Sequence, residues 1–223
     1  MKLVLASQGF MNDKIANEVS KLVGKPLENI NVAIINEAYV VLGGDKSQRW
    51  LINELSRIEK YIGGRIDFVN LRAHSKEEIK KRLLSSDLVY IVGGKQFALP
   101  SLLKELNLTD VIEEVAKKDI VIMGTSAGAN LLGKHIESKD FWKERYDIEE
   151  EKIENKTLGL IGVNIIPHYL RKDRSDWTEE FFERTLKDNP FKVYALTDDE
   201  ALFYDNGKMY FVGNPRIFGD KDR

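Results

Sequence analysis

The chain has 223 residues, enough for one sizeable core, and no shift of composition or low-complexity linker marks a second domain. Lys and Arg number 34 against 36 Asp and Glu, and the net charge of -2 without a basic stripe argues against nucleic acid as a partner. Cysteine is absent, so disulfides, thiolate nucleophiles and cysteine-bound zinc are excluded and covalent chemistry must use oxygen or nitrogen.

The opening MKLVLASQGF holds an apolar run from Leu3 to Ala6. That is too short for a secretory core segment and far below the roughly 18 residues of a membrane span, so it is expected to be the first strand of a cytoplasmic protein without a membrane partner. Further short apolar runs at Val32 to Asn36, Ile66 to Asn70, Leu88 to Val92 and Ile120 to Met123 alternate with stretches of helical period. This pattern predicts a single α/β domain over residues 1–223, a mainly parallel sheet flanked by helices. Between the second and third runs, DKSQRWLINELSRIEKYIGG places Trp50, Leu51, Leu55, Ile58 and Ile62 at three- and four-residue spacings. It stops at Gly63-Gly64, where a left-handed cap is expected. SKEEIKKRLLSS opens with Ser75 and Glu78 in capping-box spacing.

DIVIMGTSAGANLLG, from Asp119 to Gly133, joins a strand buried on both faces to the first turn of a helix. Gly124-Thr125-Ser126-Ala127-Gly128 fits G-x-S-x-G in the setting that motif needs. A serine on a tight strand-to-helix turn pushes its hydroxyl out of the sheet, and small neighbours keep the turn clear of adjacent strands. The N-H of Ala127 then lies where an oxyanion would form.

After the elbow, residues 134–156 are polar and acidic with no clean period, and a surface excursion is expected. LGLIGVNIIPHYL reads as strand, loop and short strand, and SDWTEEFFERTLKD as a helix capped by Ser175 or Asp176. KVYALTDDEALFYDNGKMYFVG reads as closing strands with a tight Asn206-Gly207 hairpin.

A serine nucleophile needs a base, and the histidines are His74, His135 and His168. His74 is expected in a solvated loop. His135 lies nine residues beyond Ser126, about 13 Å along a continuous helix, out of contact. His168 follows an apolar run and a proline, at a strand end, and is the expected base. The acid should come from another strand end. YALTDDEALFY offers Asp198, Asp199 and Glu200, and alternation from a buried Leu196 favours Asp198, with Glu200 second. The order serine, histidine, acid differs from that of α/β-hydrolases, where the histidine comes last. An arrangement of Ser126, Asp147 and His168 stays open but draws its acid from the irregular acidic stretch. Gly93 and Gly94 close a strand, and Gly94 N-H is a candidate second oxyanion donor. The histidines are 61 and 33 residues apart and no HExxH occurs, so no metal site is expected, and nothing suggests an organic cofactor.

YIVGGKQF, GTSAGAN, NIIPHY and LTDDEAL together make the sequence resemble the serine peptidase family of dipeptidase E and cyanophycinase, over most of the chain. The resemblance implies a three-layer, flavodoxin-like α/β fold like that of class I glutamine amidotransferases, with Ser126 as nucleophile, His168 as base and Asp198 as acid. Two departures stand out. The acid is glutamate in the best-known members, and Lys95 and Gln96 stand where the dipeptidase has a third glycine and an asparagine. The implied substrate is a small peptide with aspartate at its amino end, which requires a cation near the site. Arg171 and Arg174 are the nearest candidates. Hydrolysis of another amide or ester bond, or a non-catalytic role, are the alternatives, and the sequence sets no oligomeric state.

Overall fold

Continuous apolar runs bounded by polar or glycine residues form strands because only a parallel sheet covered on both faces buries every side chain. The computed structural model describes residues 1–40, 45–154, 156–173 and 176–219, and among them lie ten strands and nine α-helices. The strands are β1 (Lys2–Ala6), β2 (Val32–Ile35), β3 (Ile66–Phe68), β4 (Leu88–Ile91), β5 (Val121–Thr125), β6 (Asn164–Ile166), β7 (Val193–Ala195), β8 (Ala201–Asp205), β9 (Lys208–Val212) and β10 (Arg216–Phe218). The helices are α1 (Asp13–Val23), α2 (Glu37–Val40), α3 (Asp45–Tyr61), α4 (Lys76–Leu84), α5 (Ala98–Glu105), α6 (Thr109–Ala116), α7 (Ala127–Leu132), α8 (Lys139–Tyr146) and α9 (Glu179–Leu186).

Seven strands form a sheet in the order β3-β2-β4-β5-β1-β8-β9, parallel up to β1 and antiparallel beyond it. Alternation divides its side chains between two cores. Leu3, Leu5, Ile35, Val89, Ile91 and Ile122 face one, and Val4, Ile34, Leu88, Tyr90, Val121 and Met123 face the other. A second sheet has the order β10-β7-β6, with β6 parallel to β7. Ile166, Val193 and Ala195 on this small sheet pack with an aromatic cluster that includes Phe141, Trp142, Trp177 and Phe182.

Two local expectations hold in detail. Ser75 caps α4 by accepting from Glu78 N at 3.2 Å, and Asn206 and Gly207 take φ of 46° and 99°, the double positive φ that a two-residue hairpin turn requires.

Four differ. Gly63 and Gly64 do not adopt a positive φ; a Cβ on them would come within 2.8 Å of Glu28 Cα and 2.2 Å of Ile30 O, so they are small because another segment crosses there. The stretch from Lys134 to Lys156 is not a bare surface excursion: it contains α8, which buries Phe141, Trp142 and Arg145. An eight-residue helix whose inward face includes an arginine leaves little periodic signal. Residues 158–163 form no strand, because Leu158 and Leu160 N-H groups donate instead to Leu131 O and Leu132 O at the end of α7, at 2.7 and 2.9 Å. Finally, α9 is capped by Thr178, which accepts from Phe181 N at 3.2 Å, rather than by Asp176; Ser175 lies outside the described residues.

Candidate active site

Ser126 sits between β5 and α7 with φ 51° and ψ -118°, a backbone conformation that side-chain-bearing residues rarely hold. Its neighbours are glycine for a steric reason. A Cβ on Gly128 would lie 2.4 Å from Ile91 O, and one on Gly93 would lie 2.8 Å from both Ser126 Cβ and Thr125 O. The elbow is tied to the adjacent strand by Ser126 N donating to Ala6 O at 3.0 Å.

The small sheet brings up the other two groups. His168 follows β6 and Asp198 follows β7, and because these strands are parallel neighbours their C-terminal ends point to one place. His168 Nε2 is 3.0 Å from Ser126 Oγ, and His168 Nδ1 is 2.6 Å from Asp198 Oδ1. Burial pushes the Asp198 carboxyl up, but the His168 hydrogen bond, the nearby His168 and Arg171 charges and the Gln8 side chain outweigh it and hold the group below its ordinary range.

The other candidates fall elsewhere. Glu200 is engaged as a loop brace, accepting from Thr197 N at 2.9 Å and Asn214 N at 2.6 Å. Asp199 is exposed and accepts from Thr197 Oγ1 at 2.7 Å. Asp147 is the exposed C-cap of α8. The helix after the elbow ends at Leu132, and His135 is buried, stacked on Trp142 with ring centroids 5.1 Å apart. His74 lies 3.8 Å from Glu78. Gly93 N donates to Thr125 Oγ1 at 3.2 Å, while Gly94 is half-buried beside it and Ala127 opens α7, where first-turn N-H groups lack helical acceptors. Lys95 is exposed and Gln96 is buried. Arg171 lines an open cleft with Tyr169, Leu170, Lys172 and Asp198; its Nε is 2.9 Å from Asp173 Oδ1 and 3.8 Å from Asp198 Oδ2. Arg174 lies outside the described residues.

Besides Gln8, two residues that brace this constellation escaped the sequence reading. Ser7, fully buried after β1, accepts from His168 N at 2.8 Å and donates to Asp198 Oδ1 at 3.4 Å. Arg145 of α8 donates through Nη2 to Pro167 O at 2.8 Å. A polar residue directly after a buried strand was the available signal for Ser7; Arg145 had none.

A mixed α/β fold whose main sheet is mostly parallel, with a serine on an elbow facing an imidazole and a carboxylate, has the layout of a serine hydrolase. The model of peptidase family S51 matches residues 3–212, so the chain belongs to that family and is in class a serine-type peptidase. Peptidase E of Haemophilus influenzae strain Rd is 29% identical over 150 residues, 65% of this chain and 66% of that protein. Peptidase E of strain PittGG is 27% identical over 190 residues, 82% of this chain and 76% of its own. A solved structure assigned to peptidase E from Listeria monocytogenes superposes with a TM-score of 0.71 at 19% identity, covering 95% of this chain and 97% of that one. A peptidase from an acI-B1 Actinobacterium gives 0.67 at 18% identity, covering 99% and 95%; these two likenesses speak to the fold alone. Among the described residues no helix is long and apolar enough to cross a membrane.

Proposed function

We propose that the protein is a dipeptidase of the cytoplasm that hydrolyses short peptides, with aspartate at the amino end preferred, using Ser126, His168 and Asp198 as its triad. The observation that carries this reading is the unbroken contact from Ser126 Oγ to His168 Nε2 at 3.0 Å and from His168 Nδ1 to Asp198 Oδ1 at 2.6 Å.

In this mechanism Asp198 holds the Nδ1-H tautomer, which leaves Nε2 free to take the Ser126 proton as Oγ attacks the scissile carbonyl. Negative charge moves to the carbonyl oxygen, where the N-H groups of Gly94 and Ala127 receive it. Collapse of the tetrahedral species breaks the C-N bond, and the imidazolium gives its proton to the departing amine. Water, deprotonated by the same nitrogen, then attacks the acyl-serine and releases the acid with Ser126 restored. Arg171 is the proposed reader of the substrate's side-chain carboxylate, with Arg174 as the second candidate. Arg171 lies beside Asp198 in the cleft, braced by Asp173.

A panel of X-linked dipeptides with Asp, Asn, Glu and Ala at the amino end tests the reading. The expected result is fastest release from the Asp series, loss of nearly all turnover in Ser126→Ala, and slower Asp-peptide cleavage in Arg171→Ala. Retained turnover in Ser126→Ala refutes the nucleophile; equal rates across the panel refute the preference.

A further inference from the structure

His168 has φ 61°, in the left-handed region that few residues other than glycine occupy. Backbone contacts with the neighbouring strand flank it. Leu196 N donates to Ile166 O, and Tyr169 N donates to Leu196 O, each at 2.9 Å. The peptide group between Pro167 and His168 falls in the gap of that ladder, and both of its polar atoms go to side chains instead. Its carbonyl accepts from Arg145 Nη2 and its N-H donates to Ser7 Oγ, each at 2.8 Å.

The two side chains come from distant parts of the chain, and each is itself held. Ser7 is fully buried at the end of β1, and its hydroxyl donates to Asp198 Oδ1, the oxygen that His168 Nδ1 also contacts. Arg145 is 7% exposed, with its guanidinium 4.0 Å above the Trp177 ring. With this peptide held, a change in the His168 φ would redirect its Cα–Cβ bond and swing the imidazole away from Ser126.

We propose that Ser7 and Arg145 are positioning residues that clamp the Pro167-His168 peptide and so aim the imidazole at Ser126. Ser7 has the further role of linking base to acid, since its hydroxyl touches the His168 backbone and the Asp198 side chain together. This rests on the triad reading given above, and it adds that reactivity at Ser126 is set in part by residues that touch no substrate.

The test uses a fluorophosphonate, which reports on serine reactivity without a known substrate, together with proton NMR of the downfield signal from an imidazole Nδ1-H bonded to a carboxylate. With three histidines in the chain, His168→Gln assigns that signal. In Ser7→Ala and Arg145→Met the labelling rate of Ser126 is expected to fall roughly tenfold to a hundredfold, the range that misplacement by a fraction of an ångström to about one ångström brings. The downfield signal should weaken or move, while near-UV circular dichroism keeps the parental shape, and Ser7→Thr and Arg145→Lys should recover part of the rate. Parental labelling and an unmoved signal in either folded variant overturn the role of that residue. If Ser7→Ala does not fold, Ser7→Cys, which fills the site with a weaker acceptor, is read in the same way. A parent protein that is never labelled at Ser126 refutes the serine assignment itself, an outcome distinct from failure of the clamp.

Discussion

Gly93→Ala crowds the elbow while leaving Ser126, His168 and Asp198 themselves unchanged. The new methyl carbon would lie 2.8 Å from Ser126 Cβ and from Thr125 O, where ordinary contact begins at 3.4 Å, so something must yield by about 0.6 Å. Thr125 belongs to a fully buried strand and resists, which leaves the elbow or the Gly93 loop to move. Overpacking of this kind costs about 1–3 kcal/mol, which in a domain of this size lowers the thermal midpoint by roughly 2–12 °C. A shift of 0.6 Å in Ser126 relative to an imidazole at 3.0 Å is expected to slow fluorophosphonate labelling by about tenfold or more. Calorimetry and labelling kinetics measure the two effects, with Gly162→Ala as the control because a Cβ there meets nothing within 4 Å. A Gly93→Ala protein with the parental midpoint and labelling rate would refute the claim that close approach explains this glycine.

Other outcomes follow from the same geometry. Asp198→Asn should lower turnover by about 10⁴ through loss of the required tautomer, whereas Glu200→Gln should leave turnover near parental and cost about 1–2 kcal/mol in urea unfolding, since Glu200 accepts from two backbone N-H groups. Equal losses in both variants would put the acid assignment aside. Ser126→Gly relieves a positive φ of 51°, so its thermal midpoint should rise above that of Ser126→Ala, by an amount reflecting about 1–3 kcal/mol of strain, with both variants inert to labelling. The Asp198 carboxyl sits below its ordinary range in the folded protein, so its pairing stabilises the fold fully above the unfolded value of about 3.9 and is lost as pH falls through the lower folded value. The stability of Asp198→Asn should therefore fall less steeply than that of the parent below about pH 4, and identical acid limbs in urea titrations would contradict this.

The central parallel strands were legible because a strand buried on both faces is apolar throughout, as Leu88 to Val92 and Ile120 to Met123 are, and because each run is too short for a typical helix. The elbow was legible in part for a local reason: glycine at 124 is required by Gly128 O, 2.3 Å from where a Cβ would sit, whereas glycine at 128 is required by Ile91 O on the adjacent strand. Alternation past Leu196 singled out Asp198 and Glu200 together, and what engages Glu200 elsewhere, Asn214, lies fourteen residues on and across a hairpin. Gly63 and Gly64 were legible as an ending but not in cause, since a crossing segment and a left-handed turn both call for glycine. Least legible was α8. Its arginine is buried against aromatic rings drawn from two helices and a loop, and no spacing in one sequence announces a contact of that range.

The proposed nucleophile rides on the large sheet, whereas the proposed base and acid follow strands of the small one, so the 3.0 Å contact between Ser126 and His168 spans two separate sheets. Tuning this catalyst therefore need not involve its cleft at all. Repacking Trp142, Trp177 and Phe182, which cluster with Ile166, Val193 and Ala195 of the small sheet, is expected to move that side of the contact and so to tune reactivity at Ser126.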